Sequence, residues 1–351
     1  MLEIIAADKR ENWNSIVRSF NNWDIYYLNE YAVAFQLHGD GVPLLFYYHD
    51  DESRFCYVSM RSDISDSNLF SDRLLRGTFY DLETPYGYGG PLSNGIITEK
   101  SQIMFLKQIK EYSIKNGIVS QFVRFHPVLE NHVSAPLVFD TKYLRDTIYI
   151  DTASPDLILS NMDSKNRNMI RKAKKNNIQI VRKSIDDYGE FLLMYEETML
   201  KNNASTYYTF NKDYFEYQKE LSDYSCIFYA IKDSMPIAAA IMYYNEKYMH
   251  YHLAGTHTEY RALSPNNLLL YEAACWASAR GIKKFHLGGG MSQDDSLFGF
   301  KKQFNKKGRL PFVVGRTIFQ PDKYDYLLGI RKELDSSFDE NNSRMIQYRY
   351  Q

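Results

Sequence analysis

AFQLHGDGVPLLFYYHDDESRFCYV, residues 34–58, and CIFYAIKDSMPIAAAIMYYNEKYMHYHLA, residues 226–254, read alike. Each has three apolar stretches separated by polar turns, and the middle stretch is entered through a proline, Pro43 or Pro236. Short apolar runs bounded by Gly, Asp, Asn and Ser signal strands. Asp40-Gly41 is a strong hairpin signal. Both segments therefore predict three antiparallel strands. A second pair of segments follows: EYSIKNGIVSQFVRF at 111–125 and CWASARGIKKFHLGG at 275–289. In each, a helix closes on a glycine that can take positive φ, and an isoleucine opens an extended run. The two prolines are 193 residues apart and the two glycines, Gly117 and Gly281, 164 apart. The difference of 29 fits one insertion in the first copy between Met60 and Pro91. The fold class predicted is α/β (α+β). Two tandem units each carry a mixed, mostly antiparallel sheet flanked by helices, with a cleft between or beside them of the kind that holds small molecules.

Composition agrees with two units. The chain has 351 residues, and the length prior for a single domain is smaller. A net charge of −1 provides no strong global field for nucleic acid, which argues against a DNA-binding protein. Three cysteines without a CxxC pair argue against a disulfide framework or a zinc site, so no metal is expected. The first residues, MLEIIAADKRENW, carry early charges and no long apolar run. No window reaches the ~18–20 apolar residues of a spanning helix. The expected place is the cytoplasm, with peripheral membrane contact compatible. Thirty tyrosines mostly suit sheet packing, while those beside glycines at strand ends are candidates for ligand contact.

The domains expected are 1–152 and 153–351. In the first, helices are expected at 8–20 and 99–116 and strands at 31–58, 78–82, 118–125 and 143–150. In the second, Ser154-Pro155 marks a helix start. A basic helix is expected over 155–176 and another helix over 185–201. Three strands should follow at 226–255. Ser264-Pro265 repeats the cap-then-proline pattern before a helix ending at Gly281. A strand at 283–288 comes next, and a strand at 311–319 and a C-terminal helix at 324–334 close this unit.

Strands, helix, then strand is the order of the GNAT acyltransferases, which splay two strands apart to hold an acyl donor. Three further segments sharpen the resemblance: the basic run SKNRNMIRKAKK at 164–175, FHLGGG at 285–290, and Asp295 followed by LFGFKKQF at 297–304. With Tyr-Gly-Gly-Pro at 88–91, they resemble the Fem peptidyltransferase family, which is built of two GNAT-like units. That resemblance implies transfer of an aminoacyl group from aminoacyl-tRNA to an amine of a peptidoglycan-type cell-envelope precursor. Fem-like proteins of polysaccharide biosynthesis imply an alternative, acyl-CoA-dependent N-acylation of an amino sugar or lipid-linked saccharide. No tightly bound cofactor is expected; the donor is a co-substrate. The turn YRALSPNN at 260–267 keeps an arginine but has no glycine, and Pro265 lacks an N–H, which weakens the usual grip on a coenzyme A pyrophosphate. The chain shows no heptad-rich arm and no lysine between Asn21 and Tyr48 to hold a nucleotide-linked acceptor. A catalytically inactive scaffold that binds a precursor is a third reading.

Lys301 leads the candidate residues. A fixed ammonium can stabilise the oxyanion that acyl transfer develops; the alternative is a solvated surface lysine. Asp295 can pair with Lys301 or orient the incoming amine, or it is an ordinary loop aspartate. Substrate contacts are assigned to Tyr86 and Tyr88, which flank Gly87, and to Arg124 and His126 at the end of one strand. Tyr251, His252, His286, Gly288 and Gly289 are assigned at the corresponding ends in the second unit. Arg167, Arg171 and Lys174 share one helix face and, with Arg261 and Asn266, are candidates for phosphate or RNA contacts. A charge run is ordinarily a solvated face.

Overall fold

The computed structural model describes residues 1–349. It divides into two compact units, Met1–Leu144 together with the segment from Phe312 onward, and Arg145–Pro311.

The first unit starts with β1 (Leu2–Ala6), α1 (Arg10–Arg18) and α2 (Asn29–His38). It continues through β2 (Val42–His49), β3 (Ser53–Asp63), β4 (Tyr80–Glu83), β5 (Leu92–Gly95), α3 (Glu99–Lys115) and β6 (Ile118–Arg124). α2 occupies the place where the sequence predicts a strand. Gly39 sits at φ +111, and its N–H and that of Asp40 both reach the Phe35 carbonyl. The Gly-Asp-Gly run therefore ends a helix instead of turning a hairpin. α3 follows expectation: Thr98 and Ser101 form a reciprocal cap at its start, and Gly117, at φ +68, follows its end. The core under α3 is aromatic. Phe55 and Phe105 stack with centroids 4.7 Å apart, beside Phe46, Tyr48 and Tyr57.

The second unit runs through β7 (Asp140–Asp151), α4 (Pro155–Asn161), α5 (Ser164–Lys175), β8 (Gln179–Lys183), α6 (Gly189–Lys201) and α7 (Lys212–Gln218). Then come β9 (Ser225–Lys232), β10 (Met235–Tyr244), β11 (Tyr248–Thr256), α8 (Pro265–Ala279), β12 (Lys284–Gly288) and α9 (Ser296–Lys302). The helix expected over 155–176 is broken. Met162 and Asp163 leave the helical region, and the Asp163 N–H donates to the Gln303 carbonyl. α8 lays Leu268, Leu269, Ala273 and Ala277 over Phe228, Ala238, Ala240 and Met249. On the other face α6 crosses β11 so closely that a Cβ on Gly255 would lie 2.4 Å from the Met194 backbone. Glycine is required there by contact, not by its torsion angles.

β13 (Arg309–Ile318) and α10 (Pro321–Leu334) end the fold. They correct the expected division at residue 152. The strand expected to close the second unit pairs with β6 from Val314↔Arg124 to Ile318↔Ser120, and α10 packs with Val119 and Ile64 in the first unit. Conversely β7, expected to close the first unit, pairs with β12 in the second.

Strand for strand, the pairing orders of the two units then match. β1-β2-β3-β4-β6-β13 corresponds to β8-β9-β10-β11-β12-β7. In each, the first three neighbouring pairs are antiparallel, the fourth parallel and the fifth antiparallel. The repeat is real, but the Pro43 strand corresponds to β9 and not to the Pro236 strand.

Candidate active site

In the second unit the parallel strands part. β11 and β12 pair only from Tyr248↔Lys284 to His250↔His286. Past that point β11 continues along β10, and β12 pairs with β7 through Gly288↔Ile148. The ladder between β10 and β11 shifts register between Ile241 and Met242, so His252 is an extra residue on β11. Such bulges bend a strand and re-aim side chains. The result is a gap in the strand pairing, with Tyr251 and His252 on one strand and Leu287 and Gly288 on the other.

Lys301 lies beside this gap. α9 buries it, and Nζ donates to the Gly289 carbonyl at 2.7 Å, with the Tyr251 ring 5.8 Å away. Burial pushes its ammonium down to about 8, and the charge of Asp295 acts the other way. The glycine run ahead of it is geometrically demanded. Gly288 takes φ +74, and a Cβ on Gly290 would fall 2.1 Å from Asp295 Oδ1.

Asp295 caps α9. Its Oδ1 accepts from the Phe298 N–H at 2.8 Å, and Oδ2 accepts from Met291 and Ser292 at 2.6 and 2.9 Å. Partial burial raises its carboxyl, but these N–H groups outweigh burial and hold it below the usual range. Asp295 thus fixes the loop that carries Gly289 to Lys301.

The histidines occupy the same unit. His286 is buried with Nε2 2.9 Å from Thr147 Oγ1, and its ring packs 5.8 Å from His250. His252 is half-buried, and its Nε2 is 2.7 Å from the Tyr214 hydroxyl. Burial, then the neighbouring His250, push its imidazole down to about 3, so the ring is neutral at ordinary pH. The sequence contains no signal that Tyr214, 38 residues away, is its partner.

The basic residues divide by role. Arg167 bonds the carbonyls of Leu159 and Met162 at the end of α4, a structural role. Lys174 pairs with Glu272 at 3.0 Å and lies over the Tyr271 ring. Arg171 is exposed, with a bond to Asn168 on its own helix. Arg261 is exposed, while Asn266 donates to Thr256 Oγ1 at 2.8 Å. Ser264 holds the N-cap position, as expected, but its side chain does not cap: it sits at φ +61, and its hydroxyl donates to Met169 Sδ at 3.4 Å. Next to it, Asn267 donates to Asn166 Oδ1 at 2.7 Å. α5 thus covers the first turn of α8.

The equivalent place in the first unit is closed. β4 and β6 pair from Tyr80↔Ile118 to Glu83↔Phe122. The pairing continues through Thr84 N–H to the Phe122 carbonyl and Gly89 N–H to the Arg124 carbonyl. Arg124 is held there by Glu83 at 2.6 Å and by the Thr84 carbonyl. Tyr86 and Tyr88 belong to an aromatic plug: Tyr88 meets Tyr26 edge-on at 5.6 Å, and the Tyr31 hydroxyl bonds the Tyr86 carbonyl. Gly87, at φ +93, faces the Tyr26 ring, where a Cβ would lie 2.7 Å away. His126 is buried 3.4 Å from Asp24.

Residues 164–302, which span α5 to α9 and include Lys301, match the model of the acetyltransferase (GNAT) domain. No curated protein matches the chain. Among solved structures, FemX is similar with a TM-score of 0.68 at 13% identity, covering 93% of this chain and 99% of that one. The C-terminal domain of a putative lysylphosphatidylglycerol synthetase from Agrobacterium fabrum gives 0.55 at 12%, covering 93% and 96%. A tandem GNAT protein from the clavulanic acid biosynthesis pathway gives 0.51 at 8%, covering 92% and 99%. Residues 164–302 thus resemble the acetyltransferase (GNAT) domain, which supports a transferase, and the chain shares the tandem GNAT-like fold of these structures.

Proposed function

We propose that the chain is an aminoacyltransferase that moves an aminoacyl group from aminoacyl-tRNA onto an amine of a peptidoglycan-type cell-envelope precursor. The observation that carries this reading is the buried Lys301 ammonium at the mouth of the open β11–β12 gap. One of its three N–H donors goes to Gly289, which leaves two for a substrate oxygen. The amine nitrogen attacks the ester carbonyl, charge grows on the carbonyl oxygen, and Lys301 stabilises it. The C–N bond forms, the C–O bond breaks, and the proton lost by the attacking nitrogen passes to the leaving alkoxide, which departs as the free hydroxyl of the tRNA. Asp295 acts as a positioning residue through the Met291–Ser292 turn. Tyr251, His252, His286 and the glycines border the reacting groups.

The covered N-terminus of α8 favours this donor. Pro265 supplies no N–H there, and α5 occupies its approach through Asn166 and Met169. The exposed cations of α5 suit a polyanionic donor. One observation favours acyl-CoA-dependent N-acylation of an amino sugar or lipid-linked saccharide instead. The β12-facing edge of β11 beyond His250 offers backbone groups that can pair with an extended amide chain.

The test supplies purified protein with radiolabelled aminoacyl-tRNA or acetyl-CoA, in the presence of a peptidoglycan precursor or glucosamine, and follows the label. Label passing from aminoacyl-tRNA, and its loss in Lys301→Met, is the expected result. Transfer from acetyl-CoA alone selects the alternative. Transfer by Lys301→Met at the wild-type rate removes the mechanism.

A further inference from the structure

The connector between α6 and α7 differs from its surroundings. Residues 202–211 carry no charge, although Lys201 and Lys212 flank them. Within it, Asn202, Asn203, Ser205, Thr206, Tyr207 and Thr209 are all exposed. Tyr207 and Tyr208 stand at right angles, centroids 5.5 Å apart, and Tyr207 is 37% exposed. The corner is held from beneath. The Tyr195 hydroxyl donates to the Tyr208 carbonyl at 2.7 Å, and Ser205 Oγ accepts from the Tyr207 N–H at 3.4 Å.

The corner is also tied to the gap. Tyr207 meets Phe210 at 6.3 Å, Phe210 stacks on Tyr214 at 4.5 Å, and the Tyr214 hydroxyl reaches His252 at 2.7 Å. His252 is the bulged residue of β11.

A partly exposed tyrosine ring set among neutral amides and hydroxyls has a specific chemical match. A sugar ring offers an apolar C–H face and a rim of hydroxyls that pair with groups able both to donate and to accept. The absence of cations from 202 to 211 makes the surface a poor binder of phosphate backbones. We infer that the α6–α7 connector is a saccharide-binding platform, with Tyr207 stacking on the ring of an N-acetylhexosamine in the acceptor. The inference rests on the transferase reading above and names the acceptor's chemistry.

The full-length protein is titrated with N,N′-diacetylchitobiose, followed by tyrosine fluorescence and by saturation-transfer NMR. Binding is expected. Tyr207→Ala should weaken it about tenfold or more, the loss of one good aromatic contact, while Tyr207→Trp keeps it. Far-ultraviolet circular dichroism should be unchanged in both, because the ring is exposed. No binding by the wild type, or equal binding by Tyr207→Ala, overturns the inference. So does displacement of the sugar by an uncharged nucleoside at lower concentration, which would assign the ring to base stacking. Lys301→Met should bind the sugar normally. A transferase with an intact Lys301 effect but no Tyr207 effect on sugar binding would therefore lose this inference alone.

Discussion

β4–β6 and β11–β12 are the same parallel pair in two copies of one topology, yet the first is zipped and the second opens. The first is held shut by Thr84, Arg124 and Gly89 and plugged by tyrosines. The second has a bulge on one strand and a positive-φ glycine ending the other. Topology alone does not make a reactive gap. A register shift alone does not either, since the β4–β6 ladder also skips a residue between Tyr80 and Asp81; the difference is a bulge placed where β11 leaves β12, and a helix that brings a lysine beside it.

The largest effect that can break this contrast concerns Lys301. Lys301→Met should lower kcat about 10²–10³-fold with little change in substrate affinity, because the interaction strengthens only in the transition state. Steady-state kinetics with pre-measured Kd values decide it. Lys301→Arg should rescue little, since a flat guanidinium does not fit the ammonium's place.

Titration sharpens the same point. With the ammonium at about 8, kcat should fall as pH rises through 8, up to about tenfold per unit. A rate that rises through 8 would make the neutral amine the active form. The stability sign runs the other way. The unfolded lysine holds its proton up to 10.5. Between about 8 and 10.5 the unfolded state thus binds more protons, and the burial penalty is relieved as pH rises. Urea melts of wild type and Lys301→Met across that window should converge upward.

The closed copy predicts a purely structural effect. Gly87→Ala forces a Cβ against Tyr26 at positive φ and should cost about 1–3 kcal/mol in thermal or urea unfolding. Turnover per folded molecule should not change; a change would give the plug a catalytic role. The smallest effect belongs to α5. Reversing Arg171, Lys172 and Lys175 to Glu should shift stability by under about 0.5 kcal/mol, since exposed charges contribute little. It should weaken tRNA binding more at low salt than at high salt. Arg167 is left out because it braces α4.

The sequence is legible where local chemistry has one outcome. The helix–glycine–strand units at Gly117 and Gly281 fold as read. Gly39-Asp40-Gly41 has two outcomes, because a hairpin and a helix end both use a positive-φ glycine, and Phe35 decided for the helix. β8, with two charged residues among its five, carries no clear strand pattern and forms an edge strand. Lys301 bonds Gly289 and Asp295 caps the helix that carries Lys301, so these residues meet at one loop. The gap itself was not legible. It is a place where pairing stops, and no residue encodes that by type. Tyr214 reaches His252 only because α7 lies across β11, which is a tertiary fact.

One connection has a consequence in the order of synthesis. The second unit lies within the sequence of the first, since β13 follows it and closes on β6. As the chain leaves the ribosome, residues 145–311 can finish their sheet while β6 still shows an open edge. The reactive unit is thus complete before its sequence-first neighbour, which waits for the final segment. A chain truncated after Pro311 should present a folded second unit joined to an unpaired, aggregation-prone strand.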